Sequence, residues 1–95
     1  MSVTWMPRAR GSLQAIFTHI AEDDPVAAHA LVDRLLSSVE ETLGAHPLAG
    51  RPGRVDGTRE WVAHRSYVIA YRATPAGDVE VLDVIHGAQL WPEQF

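Results

Sequence analysis

Apolar positions in the first half of the chain recur at steps of three and four; in the second half they recur at steps of two. Those periods belong to helices and strands respectively. Val3-Thr4-Trp5 reads as a short leading strand. Pro7 suits a helix start, because its missing N–H costs nothing in a first turn. Ala9, Leu13, Ile16, Phe17 and Ile20 then give one apolar stripe. Glu22-Asp23-Asp24-Pro25 is a break and a restart, with Asp24 able to cap a second helix and Pro25 in its first position. That helix carries Ala28, Leu31, Val32, Leu35, Leu36, Val39 and Leu43 on a wide apolar face, with His29, Asp33, Arg34, Ser37, Glu40 and Glu41 opposite. Gly44 is expected in the left-handed conformation that ends a helix, and Pro47 bars continuation.

Residues 47–57 form a loop containing Gly50, Pro52, Gly53 and Gly57. After it, Thr58 to Ala63, Tyr67 to Ala73 and Val79 to Ile85 read as three strands, with Thr74-Pro75-Ala76-Gly77-Asp78 turning between the last two. Short links between successive strands predict an antiparallel meander. Two helices joined by so few residues predict an antiparallel hairpin, and that hairpin is the available cover for the apolar face of the sheet. The expected class is therefore α+β: a helical hairpin packed on a small twisted, mainly antiparallel sheet. At 95 residues, the chain is expected to be one domain over 1–95.

Composition narrows the chemistry. The sequence contains no cysteine, which excludes disulfides and thiolate sites. No apolar run is long enough for a spanning helix, and the first residues carry no signal-peptide pattern, so the expectation is a cytoplasmic protein without membrane contact. The net charge of −4 argues against a general nucleic-acid-binding surface. The distribution is more informative: all eight basic residues are Arg, and Arg51, Arg54, Arg59, Arg65 and Arg72 lie in a stretch whose acids are Asp56 and Glu60 alone, a local charge of +3. Guanidinium forks suit phosphate or carboxylate recognition; a GC-rich coding sequence also yields Arg without Lys.

Arg51, Arg54 and Arg59 are set among glycines, where a partner can approach the backbone closely; they can equally sit in a solvated loop paired to Asp56 or Glu60. In a regular strand Arg59, Trp61 and Ala63, with Arg65 following, share one face. Arg72 and the tyrosines 67 and 71 either line a shared concave site or belong to strand and core. His86, at the end of the last strand, is a candidate general acid or base, or a backbone-bonded strand terminus. His19 and Glu22 have chelating helical spacing without a third ligand, so no metal or cofactor is expected. No phosphate-cradling glycine loop ending in Gly-Lys-Ser/Thr occurs, nor any Ser/His/Asp signature.

Read in order, IAEDDPVAA, ETLGAHPLAGRPGR, GTREW, YVIAYR and VEVLDVIHGAQLWP resemble the RelE/ParE superfamily, the toxins of type II toxin–antitoxin systems, over nearly the whole chain. The resemblance implies a hairpin-on-sheet toxin silenced by a cognate antitoxin, whose other end binds operator DNA, so that this chain meets operator DNA only indirectly. It implies one of two activities. ParE-like members inhibit DNA gyrase without known hydrolytic chemistry. RelE-like members cut messenger RNA on the ribosome as metal-independent endoribonucleases. In the second case Arg59, Arg65, Arg72 and His86 are the catalytic candidates, the Arg forks holding charge on the phosphate and His86 moving a proton. The absence of Lys, and a terminal GAQLWPEQF without Arg or Tyr, depart from the RelE pattern; the HGAQ ending and the hairpin look more like ParE. A family member that only binds its antitoxin is the third possibility. Arg51, Arg54 and Trp91, within Leu90-Trp91-Pro92, are the expected partner-binding residues.

Overall fold

The computed structural model describes residues 2–87. Strand β1 (Val3–Trp5) leads into helix α1 (Pro7–Ala21) and, after a three-residue break, helix α2 (Pro25–Ser38). Asp24 caps α2 through a hydrogen bond accepted by its carboxylate from the Ala27 N–H at 3.0 Å, and Pro25 fills the first position. A π-helical turn, Val39–Leu43, prolongs α2. Strands β2 (Arg51–Pro52), β3 (Arg59–His64), β4 (Tyr67–Ala73) and β5 (Val79–His86) follow. The sheet order is β1-β5-β4-β3-β2, antiparallel throughout except that β1 runs parallel to β5. The expected α+β hairpin-on-sheet arrangement is what the chain adopts.

One core joins the layers. Leu35 of α2 and Val39 and Leu43 of the π-helical turn meet Ile69 and Tyr71 of β4 and Val79, Val81 and Val84 of β5, all fully or almost fully buried, with Ala9 of α1 among them. Val39 and Leu43, four residues apart in this turn, are both buried. Helix α1 lies along β5, and a buried polar anchor fixes it there: the Asp83 carboxylate accepts from the Ser12 hydroxyl at 2.5 Å, the Arg8 Nε–H at 3.2 Å and the Val84 N–H at 2.8 Å. All three donors go to the carboxylate of a residue only 7% exposed, and a buried charge is tolerated only when so compensated.

Three local expectations are corrected. Gly44 is not left-handed: its φ is −61°, and its N–H reaches Val39 O at 3.1 Å, the spacing of a π-helical turn. A Cβ at Gly44 would lie 2.3 Å from Glu40 O, so close approach rather than positive φ requires glycine there. Among the described residues positive φ occurs at Gly57 (79°) and Gly77 (87°). The 47–57 loop contains β2, which pairs Arg51 with Glu60 and Pro52 with Arg59. Strand β3 starts one residue later than the alternation suggests. The buried Thr58 instead closes the turn before it, its N–H donating to Val55 O at 3.1 Å.

Candidate functional site

The candidate residues are distributed by two irregularities of the sheet. Register slips between Val62 and His64 on β3, so the face shared by Arg59 and Trp61 does not continue in simple alternation to Arg65. Arg65 lies exposed in the tight turn to β4, where the Ser66 N–H donates to His64 Nδ1 at 3.1 Å. A second slip on β5, which leaves Leu82 out of the pairing, falls opposite Ala70 and Tyr71.

Strand β4 itself alternates, so Tyr71 and Arg72 point to opposite faces. Tyr71 is fully buried in the core, while Arg72 is exposed and pairs with Glu80 at 3.5 Å. The shared Arg–tyrosine site considered from the sequence does not form at Tyr71. The register also separates Arg72 from His86. Arg72 sits opposite Glu80, and His86 sits opposite Tyr67, five residues away along β4. At about 3.3 Å per strand residue, that is roughly 16 Å.

Arg59 is committed to the fold. Its Nε–H donates to Gly50 O at 3.0 Å and its Nη2 to Leu48 O at 3.1 Å. Its cross-strand neighbour Tyr71 completes the same bracket: the hydroxyl donates to Pro47 O at 2.8 Å and accepts from the Gly50 N–H at 2.9 Å. Two paired side chains thus fasten the backbone of 47–50 at four points. The chain leaves that bracket directly into β2.

Arg51, the first residue of β2, pairs with Glu60 across the β2–β3 ladder. Arg54 is exposed on the connecting hairpin, which is closed by Gly53 N–H to Thr58 O at 2.8 Å and turned by Gly57. Arg51, Arg54, Glu60 and His86 meet around a cavity of about 150 Å³ with apolar walls from Val68 and Ile85. His86 also packs edge-on against Tyr67, ring centroids 5.3 Å apart, and Tyr67 lies 5.9 Å from His64. So the structure gathers Arg51, Arg54 and His86, uses Arg59 internally, and sets Arg65 and Arg72 apart. Trp91 and its neighbours lie outside the described residues.

The sequence pointed to Glu60 as one possible partner of the loop arginines. It gave no sign that Tyr71 would bond back to the loop; that depends on strand register, which pattern alone does not determine. His19 is exposed on α1, and among the described residues no three His, Asp or Glu side chains converge to hold a metal ion. No helix of the described residues is long and apolar enough to cross a membrane.

Known proteins resemble this chain in sequence and in fold. The family described as "ParE toxin of type II toxin-antitoxin system, parDE" matches residues 3–91. A protein of Sinorhizobium fredii (strain NBRC 101917 / NGR234) named "Putative toxin Y4kP" is 42% identical over 92 residues, spanning 96% of this chain and 93% of its own. A solved structure titled "Chromosomal ParDE TA system from P. aeruginosa" superposes with a TM-score of 0.78 at 27% identity, over 90% of this chain and 95% of that one. A family match along nearly the entire chain, a relative of this identity and a hairpin-on-sheet fold with the same extent agree: the chain belongs to the ParE toxin family and is the toxin of a type II toxin–antitoxin system.

Proposed function

We propose that this toxin arrests growth by binding its target rather than by cutting RNA, with DNA gyrase as that target, and that its β2–β3 hairpin, through Arg51 and Arg54, is a partner-binding surface. The observation that carries this reading is the dispersal of the catalytic candidates. A nuclease needs its cations around one phosphate, but Arg59 is spent on two backbone carbonyls, and Arg72 and His86 stand at opposite ends of the β4–β5 ladder. The exposed arginines of the hairpin instead suit carboxylates on a cognate antitoxin, whose acidic, flexible segment would order on binding. Contact with operator DNA would then pass through the antitoxin, in the cytoplasm and without a cofactor.

A second reading rests on His86 sharing a cavity with Arg51 and Arg54. In that case the toxin is a metal-independent endoribonuclease on the ribosome, and these three residues surround the scissile phosphate. Pulse labelling after induction in a bacterial host separates the two. Binding to gyrase predicts an early fall in thymidine incorporation with amino-acid incorporation sustained, and His86→Ala remains toxic. Early collapse of protein synthesis, abolished by His86→Ala, would establish the nuclease reading instead.

A further inference from the structure

We infer that Arg59 and Tyr71 are positioning residues for partner recognition. Together they clamp the 47–50 segment and thereby hold Arg51 and Arg54 in the arrangement a partner meets. This rests on the reading of Arg51 and Arg54 as partner-binding residues.

A segment with Pro47, Gly50, Pro52 and Gly53 has no periodic pattern to order it, and β2 supplies only two residues of sheet pairing. Order comes from outside: Pro47 O, Leu48 O, Gly50 N–H and Gly50 O are all bonded by the side chains of one cross-strand pair, Arg59 and Tyr71. The approach is so close that a Cβ on Gly50 would lie 2.5 Å from Glu60 O and 2.6 Å from the Tyr71 hydroxyl. Gly50 is buried, whereas Arg51 immediately after it is exposed. The clamp therefore ends where the partner-facing surface begins. Tyr71 is fixed by the core, so the rigidity of the sheet passes through its hydroxyl to the backbone that carries Arg51.

Preorganisation of this kind acts on affinity because an ordered loop loses less conformational entropy on binding. Releasing it should weaken antitoxin binding by about five- to tenfold per clamp residue, an effect transmitted through Arg51 and Arg54.

The test uses the full chain and its cognate antitoxin in a binding titration. Tyr71→Phe removes both hydroxyl hydrogen bonds and keeps the ring in the core. Arg59→Gln removes the fork, and Arg59→Lys serves as the conservative variant. Each is measured alone and in an Arg51→Ala/Arg54→Ala background. Val79→Ala, in the core at the start of β5 and without a hydrogen bond to the 47–50 segment, controls for lost stability. The expected result has four parts. The double alanine variant binds more weakly. Tyr71→Phe and Arg59→Gln each weaken binding in the wild-type background, Arg59→Lys less so. Neither does so once Arg51 and Arg54 are gone. Val79→Ala leaves affinity unchanged while lowering the melting temperature. If Tyr71→Phe does not fold, the two Arg59 variants decide alone.

If Arg51→Ala/Arg54→Ala weakens binding but the clamp variants match wild type, or lose equally in both backgrounds, the positioning role is overturned and the partner-binding surface stands. If the double alanine variant binds as wild type, both are overturned.

Discussion

Gly50 offers a quantitative test of the clamp that needs no partner. The perturbation is one methyl group, Gly50→Ala. An added Cβ would lie 2.5 Å from Glu60 O, 2.6 Å from the Tyr71 hydroxyl and 2.7 Å from Tyr71 Cε1. Glu60 O is backbone within the β2–β3 pairing, and Tyr71 is fully buried, so neither can swing away as a surface side chain would. Overpacking of that kind costs about 1–3 kcal/mol. Displacing the loop also disturbs the two hydrogen bonds made at Gly50, each worth about 1 kcal/mol net. The expected loss is therefore about 3 kcal/mol. For a domain of this size that corresponds to a melting temperature lower by about 12 °C or more. Gly11→Ala is the matched control. Nothing lies within 4 Å of its would-be Cβ on the exposed surface of α1, and replacing a mid-helix glycine should stabilise by about 1 kcal/mol. Urea unfolding followed by circular dichroism gives both values from the midpoints, provided the slopes agree. A Gly50→Ala chain within about 0.5 kcal/mol of wild type, beside a stabilised Gly11→Ala, would refute the close-packed clamp.

Three further outcomes are expected. Asp83→Ala should cost about 2–3 kcal/mol in the same urea assay, because it strands the Ser12 hydroxyl and the Val84 N–H beneath α1; an unchanged midpoint would show that this anchor contributes nothing. Trp5→Phe should be milder than Trp61→Phe. The buried Trp5 Nε1 has no hydrogen-bond partner among the described residues, whereas Trp61 Nε1 donates to Ser38 Oγ at 3.0 Å, so only the second change breaks a bond. The reverse order of midpoints would contradict that accounting. The Asp78 carboxyl is held below its ordinary value of 3.8, chiefly by the Ser2 backbone N–H that donates to it. A depressed folded-state value contributes stability above pH 3.8 that is lost as pH falls through the lower folded value. The advantage of wild type over Asp78→Asn should thus be full at pH 6 and shrink below pH 3.8; a difference between the two chains that is flat or grows on acidification would be inconsistent with this.

The elements were legible where local chemistry is strong. Asp24-Pro25 specified the start of α2 from two adjacent residues, and Thr74–Asp78 marked the last turn, with Gly77 supplying the positive φ. The strands of the meander could be read because alternation and turn residues coincide. Less accessible were features set by three-dimensional register. Gly44 does end the helical segment, but in the right-handed conformation, where the close approach of Glu40 O rather than a positive φ calls for glycine. Strand β2 is too short for any periodicity to reveal. The site followed the same division. Arginine clustering and His86 at a strand end were visible as residue types. Their separation along β4, and the commitment of Arg59 to the 47–50 backbone, follow from pairing that the pattern of side chains does not encode.

The most direct test of inhibition by binding is a supercoiling assay with purified DNA gyrase and relaxed plasmid, to which the purified chain is added with and without its cognate antitoxin. Action by binding predicts inhibition that the antitoxin reverses and that His86→Ala retains, and intact messenger RNA on translating ribosomes exposed to the same chain. Normal supercoiling at toxin concentrations that cleave ribosome-bound messenger RNA would contradict it.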